Sequence, residues 1–449
     1  MNYLKLLLKL YGLKRNTHKT VNQIQALQQK KLRKILKYAY INSEYYNKTF
    51  SNQGINLNNI DKFPIGEFPT VDKTVLIKNF DSIVTVKELR QEELRSFDCE
   101  ENKNKKLFKG KYHIVHSSGS TGKPAYFLYD DKAWEYMLLG VIRAALWNMS
   151  MPQILKYLFK GPRIMYVAAT DGRYGGAMAV GDGIEGVKGN QLFLDINTPL
   201  NKWISRTEEF KPDMIVGYPS AIKILGELVE TEKLNVNVFR VISCGEPLSI
   251  NLRRYFERVF KSDVINYYGA SESLILGVES DIKEGMCLFD DMNYIENHNG
   301  QMYITSLYNY AQPLIRYKIN DRLILKSDKG VKYPFTAAES IQGRDEDILW
   351  FEDDKGGREF LHPLAIEGFC IEGLLDYQFS QLSKNSFEML AEASNDNKKD
   401  FIKSEMLNMM KKILYEKNLD YVQFSIKFVN SIMPDKQTGK KKLIIKGDF

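Results

Sequence analysis

The chain has no long apolar run. No hydrophobic segment approaches the roughly 18 residues that a membrane-spanning helix needs. Cysteine is scarce, and the four cysteines form no Cys-x-x-Cys pair and no His/Cys spacing typical of a metal site, which favours a reduced, cytoplasmic protein. The excess positive charge is only +7 in 449 residues, so the sequence predicts no nucleic-acid partner.

The N-terminal residues 3–15 mix leucines with lysines. They lack a small-residue cleavage site and are unlike a secretion signal. The favoured interpretation is a helix docked on its own domain. The alternative is a short basic helix making peripheral contact with the inner face of a membrane. Nothing in the sequence indicates an oligomeric state.

The order of apolar patterns predicts an α/β protein. A helix is expected over residues 20–50, where apolar residues recur at helical spacing. Strands at 163–169, 214–216, 239–243 and 264–267 alternate with helices, which indicates a parallel sheet. After residue 286 hairpins are expected, one of them turning at Asn299-Gly300. The last hundred residues predict a small α+β unit, with strands at 387–390 and 422–429 flanking a helix at 398–416.

The segment His116-Ser-Ser-Gly-Ser-Thr-Gly-Lys-Pro124 is suited to binding a polyphosphate. Its glycines let the backbone approach an anion, its hydroxyls add hydrogen-bond donors, and Lys123 adds a positive charge. It is not an ordinary P-loop, because Ser117 stands where that motif needs glycine and Pro124 where it needs the magnesium-binding Ser or Thr. A P-loop ATPase is therefore disfavoured.

Turn residues and polar groups follow three of the predicted strands, in the segments 217–220, 244–247 and 268–272. Ligands of open α/β sheets bind beyond the carboxyl ends of the strands, so these segments are candidate site residues. The segment 181–186 matches the dinucleotide pattern GxGxxG. It lacks the strand–turn–helix context that the pattern requires, so a nicotinamide site is disfavoured.

Further motifs follow the glycine-rich loop in a fixed order: Tyr267-Tyr-Gly-Ala-Ser-Glu272, Tyr317-Lys-Ile-Asn-Asp321, Gly343-Arg-Asp-Glu346 and Thr438-Gly-Lys440. Together they resemble the adenylate-forming superfamily, with Asn320 in place of the usual glycine. The branch of phenylacetate–CoA ligase and the CapK-like capsule proteins is the most similar, through residues 31–46, Val115-His116 and Cys244-Gly-Glu-Pro247. The run Arg358–Glu367 departs from the phenylacetate ligases and favours the CapK-like side.

The resemblance implies a large N-terminal domain, residues 1–345, with parallel sheets, helices and β-hairpins. It also implies a small mobile α+β domain, residues 346–449. The first would bind ATP and a carboxylic acid, and the second would carry a catalytic lysine, Lys440, moved by a hinge at Glu346. The implied reaction is formation of an acyl-adenylate from a carboxylic acid and ATP, followed by acyl transfer to an acceptor.

The resemblance also implies a role for each site residue. Lys123 and Lys440 would neutralise phosphate and carboxylate charge, Glu272 would hold magnesium, Tyr268 would stack on adenine, and Asp321 would accept the ribose hydroxyls. The other residues of the nucleotide site would be Ser117, Ser118, Gly119, Ser120, Thr121, Gly122, Gly245, Glu246, Pro247, Gly269, Ala270, Ser271 and Arg344. Independently of the resemblance, places near the predicted strand ends make His116, Tyr166, Tyr174, Gly175, Gly176 and Tyr218 candidate liners of the acid pocket, and a purely structural role in the core is the open alternative.

Several alternatives stay open on the sequence. The acceptor is either CoA or an amine or hydroxyl group of a sugar or polysaccharide precursor. A protein that binds ATP as a scaffold without catalysis is disfavoured by the presence of Lys440, Glu272 and Asp321 together. For single residues, Glu272 and Asp321 have purely structural alternatives as capping groups, and Lys440 lies in a lysine-rich stretch typical of a solvated surface.

Overall fold

The computed structural model of the chain shows which helices and strands carry the candidate site residues. The structure describes residues 3–99, 107–117, 125–170, 175–182, 190–281, 283–326, 332–342, 349–353, 356–361, 366, 369, 371–432 and 443–446.

Helices and strands alternate through the middle of the chain and strands dominate after it. The helices are α1 (Tyr3–Arg15), α2 (Val21–Asn42), α3 (Glu44–Asn52), α4 (Lys73–Ile83), α5 (Gln91–Cys99), α6 (Asp131–Ala145), α7 (Met151–Lys160), α8 (Gly175–Asp182), α9 (Leu200–Phe210), α10 (Pro219–Glu230), α11 (Ile250–Phe260) and α12 (Lys399–Glu416). The strands up to the middle of the main sheet are β1 (Tyr112–His116), β2 (Tyr126–Asp130), β3 (Arg163–Ala168), β4 (Asn190–Asp195), β5 (Met214–Gly217), β6 (Arg240–Cys244), β7 (Asp263–Ala270), β8 (Ser273–Glu279) and β9 (Met286–Leu288). The later strands are β10 (Asn293–His298), β11 (Gln301–Ser306), β12 (Tyr317–Leu325), β13 (Ala337–Gln342), β14 (Leu349–Glu352), β15 (Arg358–Leu361), β16 (Leu374–Ser383), β17 (Ser386–Ala393), β18 (Gln423–Val429) and β19 (Ile444–Ile445).

The main sheet has a parallel half and an antiparallel half that meet at β7. Its order is β10-β11-β12-β13-β9-β8-β7-β6-β5-β3-β4. Strands β4, β3, β5, β6 and β7 are parallel neighbours, and β7 pairs with β8 in the antiparallel sense. The predicted α/β fold class is confirmed, and so are the four predicted strands of the parallel half. The strand predicted at 264–267 extends three residues further, to Ala270.

The predicted helix over residues 20–50 is two helices. Ser43 ends α2 by donating its backbone N–H to the Ala39 carbonyl, and its side chain accepts from the Tyr46 N–H to begin α3. Serine is a favoured N-cap residue, so a single side chain breaks an otherwise continuous apolar pattern. The predicted hairpin turn is confirmed, since β10 and β11 pair across Asn299 and Gly300, which have positive φ angles of 54° and 86°.

Buried apolar residues form three clusters. The first joins the N-terminal helices, the β1–β2 hairpin, α6 and the antiparallel half of the sheet, and the second fills the parallel half and its helices α9, α10 and α11. The third cluster is formed by residues from Leu349 to Ile444, where α12 covers the sheet β18-β17-β16-β19. The division of the chain at residues 345 and 346 stays a prediction.

The N-terminal helix lies against its own domain. Leu10 and Leu13 of α1 are buried, and the ammonium group of Lys14 donates to the carbonyls of Leu146, Trp147 and Met149. This contact agrees with the favoured interpretation of residues 3–15. Among the helices of the described residues, none combines the length and the apolar character that crossing a membrane requires.

Candidate functional site

The glycine-rich loop is closed at its base by Ser117. The Ser117 N–H donates to the Ala125 carbonyl at 3.0 Å, and the Ala125 N–H donates to the Ser117 hydroxyl at 3.0 Å. These two bonds extend the antiparallel hairpin of β1 and β2 by one pair beyond His116 and Tyr126. These two bonds fix the positions of Ser117 and Ala125, the residues that flank the segment 118–124.

The turn between β7 and β8 lies beside this loop base. The Ser271 hydroxyl donates to the His116 carbonyl at 3.4 Å, and the Tyr129 hydroxyl donates to the Ser271 carbonyl at 3.1 Å. Gly269 permits the tight turn, because a Cβ atom there would lie 2.4 Å from the Leu274 carbonyl oxygen. The loop base and the motif 267–272, far apart along the chain, thus meet where the two halves of the sheet join.

The predicted ribose and adenine residues are in direct contact. The Tyr268 hydroxyl donates to Asp321 Oδ2 at 2.8 Å, which links β7 to β12. Burial, followed by the negative charge of Asp321, raises the pKa of Tyr268, so the phenol keeps its proton and acts as the donor. One carboxylate oxygen of Asp321 is held by this bond, which fixes the orientation of the group.

Glu272 is a desolvated carboxylate in an acidic surrounding. Burial raises its pKa to about 7, and the charge of Asp321 acts in the same direction. The Tyr317 hydroxyl and the positive charge of Lys73 act against this shift of the pKa. A carboxylate held at this pKa is half protonated near neutrality, and a cation placed beside it would favour its ionised form.

Lys73 and Tyr317 are site residues that the sequence reasoning missed. A β-bridge between Val71 and Tyr317, with hydrogen bonds from Val71 N–H to Arg316 O and from Lys318 N–H to Val71 O, brings Lys73 to the Glu272 side of β12. The sequence signal was weak, because Lys73 follows an irregular segment with two prolines. The Tyr317 position belongs to the recognised motif, yet only the fold reveals its bond to Glu272.

The segment 244–247 is fixed by the start of α10. The Glu246 carboxylate accepts from the Ser220 N–H at 3.0 Å and from the Ser220 hydroxyl at 2.8 Å. Gly245 has a φ of +83°, and a Cβ atom there would lie 2.6 Å from the Tyr218 ring. Glu246 therefore holds the backbone of the segment 244–247, which includes Pro247 and is predicted to shape the base pocket. Burial raises the pKa of the neighbouring Cys244 to about 12, so this thiol is no nucleophile at neutral pH.

Two of the residues predicted to line the acid pocket, Tyr166 and Tyr218, belong to the second apolar cluster, whereas His116 lies at the loop base beside Ser271. Tyr166 is 2% exposed and Tyr218 is 7% exposed. Gly175 and Gly176 begin α8, and Cβ atoms there would lie 2.2 Å from Leu274 and 2.4 Å from the Tyr166 hydroxyl. The two glycines thus let the helix begin directly against these side chains.

Several predicted site residues lie outside the described residues, and their roles stay predictions: Ser118, Gly119, Ser120, Thr121, Gly122, Lys123, Tyr174, Arg344, Glu346 and Lys440. The described residues contain no group of three or more His, Cys, Asp or Glu side chains that would hold a metal ion by themselves. Magnesium bound together with a nucleotide needs only one or two protein carboxylates besides the phosphates. The Glu272 carboxylate is suited to be such a ligand.

Removing the Tyr268 hydroxyl tests the link to Asp321. We expect Tyr268→Phe to weaken ATP binding roughly two- to tenfold, since one hydrogen bond to a charged group is lost while the aromatic ring remains. Titration calorimetry with ATP would measure the change. Tyr255→Phe, which removes a surface hydroxyl bonded to Glu230, is the matched control and should leave the affinity unchanged. An unaltered affinity in Tyr268→Phe would contradict the role.

Similarity to known proteins extends beyond the motifs along most of the chain. No family model matches the sequence. CapK of Staphylococcus aureus is 24% identical over 94% of this chain and 89% of its own length. Phenylacetate–coenzyme A ligase of Escherichia coli (strain K12) is 25% identical over 74% of this chain and 73% of its own. This similarity supports the resemblance of the motifs to the adenylate-forming superfamily, in the branch of CapK and phenylacetate–CoA ligase.

A solved structure agrees with the fold. 2-Hydroxyisobutyryl-CoA ligase, crystallised with 2-HIB-AMP and CoA in the thioesterification state, aligns with a TM-score of 0.62 and 17% identity over 96% of this chain and 91% of its own. The similarity to phenylacetate–coenzyme A ligases supports an ATP-dependent, AMP-forming ligase.

Proposed function

We propose that this ligase activates a carboxylic acid as an acyl-adenylate and transfers the acyl group to an amine or hydroxyl group of a polysaccharide precursor. In the first step a carboxylate oxygen attacks the α-phosphorus of ATP, and the bond from that phosphorus to pyrophosphate breaks. In the second step the acceptor nitrogen or oxygen attacks the acyl carbon and loses its proton. The bond between the acyl carbon and AMP breaks, and AMP leaves.

The observation that carries this proposal is the meeting of four groups at the join of the two half-sheets. The Ser117 loop base follows β1. The hydrogen bond from Tyr268 to Asp321 joins β7 to β12, and the desolvated Glu272 lies in the β7–β8 turn. A nucleotide whose ribose is held by Asp321 and whose phosphates reach the loop after Ser117 would pass Glu272 between them. Glu272 would hold magnesium there, which supplies neutralising charge at the phosphates.

Positioning is the main task of the chain's own residues in both steps. Two anions must be brought together, so orientation and charge neutralisation carry most of the rate. Lys123 and Lys440 would supply positive charge at the phosphates and at the reacting carboxylate. The acid would be enclosed by Tyr166, Tyr218 and the two glycines of α8. None of these four residues has a charged side chain.

The acceptor is proposed from the extent of the sequence match. Similarity to CapK extends over 94% of the chain, against 74% for the phenylacetate ligase of Escherichia coli. The run Arg358–Glu367, which departs from the phenylacetate ligases, is the sequence feature that favours the CapK-like side. The alternative acceptor is CoA, which the names of the ligase relatives favour.

Pyrophosphate release from ATP and magnesium across a panel of carboxylic acids tests the proposal. Each acid is measured alone, with CoA, and with amino sugars or sugar nucleotides. We expect release that depends on one class of acid, with AMP formation rising on addition of an amine or sugar acceptor. A rise with CoA alone would establish the alternative acceptor. Nucleotide binding without AMP formation for any acid would indicate a scaffold, and ADP and phosphate as products would overturn the reaction type.

Asp321 offers a test of the nucleotide site. We expect Asp321→Ala to weaken ATP binding roughly ten- to hundredfold, because two hydrogen bonds from the ribose hydroxyls to a charged group are lost. The maximal rate at saturating ATP should fall much less. Asp321→Asn, which keeps the shape and one acceptor oxygen, should recover part of the affinity. An unchanged apparent affinity for ATP in Asp321→Ala would remove the ribose assignment.

Gly176 offers a separate test of the acid pocket. A methyl group at this position would lie 2.4 Å from the Tyr166 hydroxyl, so Gly176→Ala must displace that ring. We expect the KM for the acid to rise about tenfold or more, while the affinity for ATP stays unchanged. The variant Gly181→Ala, whose methyl group meets only the Phe193 ring at 3.5 Å, is the control on the same helix. Equal effects on acid and ATP would contradict a role in the acid pocket.

A further inference from the structure

Buried apolar residues lie on both faces of the hairpin β14–β15. Trp350 and Phe360 are cross-strand partners on one face, and both contact the second apolar cluster, where Phe360 lies edge-on to Trp203 of α9 at 5.4 Å between ring centroids. Leu349, Phe351 and Leu361 belong to the third cluster, which lies under α12. The hairpin therefore joins the core of the parallel half-sheet to the core of the C-terminal unit.

A buried ion pair lies in this junction. Lys417, just after the end of α12, has no exposed side-chain surface, and its Nζ atom lies 3.0 Å from Glu359 Oε1. The same ammonium group donates to the Thr198 carbonyl at 3.0 Å and lies 3.6 Å from the centroid of the Phe360 ring. The other carboxylate oxygen of Glu359 accepts from the Leu200 N–H at 2.7 Å. Charged groups of the C-terminal unit thus bind backbone groups at the start of α9.

A charged pair at this place is costly for a permanent core. Burial lowers the pKa of Lys417 to about 8 although the Glu359 carboxylate acts in the opposite direction. Apolar side chains of similar volume often stabilise a buried site more than an ion pair does, because both ions lose their hydration. Ions that separate into water recover that hydration, so a junction closed by an ion pair opens at a lower cost than one closed by apolar side chains alone.

We propose that Glu359 and Lys417 form a reversible clasp that holds the C-terminal unit against residues 198–203, at the start of α9, with Phe360 inserted beside Trp203. The clasp must open whenever the C-terminal unit carrying Lys440 changes its orientation, so it sets how long this arrangement lasts. This inference rests on the movement of the C-terminal domain in the proposed function. Its test requires no substrate and no activity, so its failure is distinguishable from failure of the proposed reaction.

Hydrogen exchange at the Leu200 amide tests the clasp, because that N–H is bonded to Glu359. In the unaltered chain we expect the Leu200 amide to exchange at least about tenfold faster than the amides of the central strand β6, since it opens without unfolding the large domain. Lys417→Met leaves Glu359 buried without its cation and should speed exchange of Leu200 roughly tenfold or more. Lys412→Met, which removes an exposed lysine of α12, is the control and should leave exchange unchanged.

The double variant Glu359→Gln with Lys417→Met separates a clasp from an ordinary core contact. The amide oxygen introduced by Glu359→Gln would still accept from the Leu200 N–H, and neither buried group would carry a charge. We expect slower exchange of Leu200 than in the unaltered chain, by about fivefold or more. If Lys417→Met alone fails to fold, Leu200 exchange in the double variant is the measurement that tests the clasp. Faster exchange in the double variant, or exchange of Leu200 and β6 at one common rate in the unaltered chain, would overturn the clasp.

Discussion

Lys440→Ala is expected to lower acid-dependent pyrophosphate release by about 10²–10³-fold while ATP binding changes less than about twofold. The lysine would act on charge that develops as the carboxylate approaches the α-phosphate, so its loss affects the transition state more than the bound nucleotide. Pre-steady-state measurement of pyrophosphate formation, paired with ATP titration, separates the two effects.

Lys442→Ala is the matched control for this prediction, because it removes a positive charge two residues away in the same lysine-rich stretch. We expect it to keep nearly the full rate. If both alanine variants lose ATP affinity to the same extent and keep their rate per bound ATP, the stretch acts as a general electrostatic surface and the catalytic assignment of Lys440 is wrong.

Glu272→Gln should lower the rate of adenylate formation by about 10²-fold or more, because a magnesium ligand and its charge are lost together. The amide keeps the size of the side chain and one acceptor for the Tyr317 hydroxyl, so folding should be preserved. The magnesium concentration that gives half the maximal rate is the direct measurement, and it should rise in the variant. The variant Glu279→Gln, at a carboxylate bonded to Arg253 at the far end of β8, is a control for general charge loss.

The raised pKa of Glu272 predicts a pH dependence of metal binding. Only the ionised carboxylate binds the metal well, so apparent magnesium affinity should be constant well above the pKa of about 7. At lower pH it should fall by up to about tenfold for each unit. Glu272→Gln should abolish this dependence. An unaltered chain whose apparent magnesium affinity shows no change between about pH 6 and pH 8 would contradict the assigned protonation.

Local patterns in the sequence predicted most of the parallel half-sheet. Short, mostly apolar segments such as Arg240–Cys244 are buried along their whole length, which is the pattern expected of a strand covered on both faces. The hairpin at Asn299-Gly300 followed from turn chemistry alone, because both residues accept a positive φ. The site residues of the motif 267–272 followed from their place at the end of a strand.

Contacts between distant segments were not predictable in this way. Lys73 reaches Glu272 because Val71 pairs with Tyr317, and no local pattern encodes a bridge across that length of chain. The buried pair of Arg143 and Asp291, at 2.6 Å, is equally non-local. Burial of charged groups depends on the whole fold, whereas the hydrophobic period of a segment reports only on its own two faces.

The most direct test of the account follows one oxygen atom. The acid found in the panel is prepared with both carboxylate oxygens labelled with ¹⁸O, and AMP from a full reaction cycle is analysed by mass spectrometry. If the carboxylate attacks the α-phosphorus, each AMP must carry one ¹⁸O, because the acyl–oxygen bond is the one that breaks in the second step. AMP without label would mean that water or another group attacks ATP, and would contradict the acyl-adenylate on which the proposed function rests.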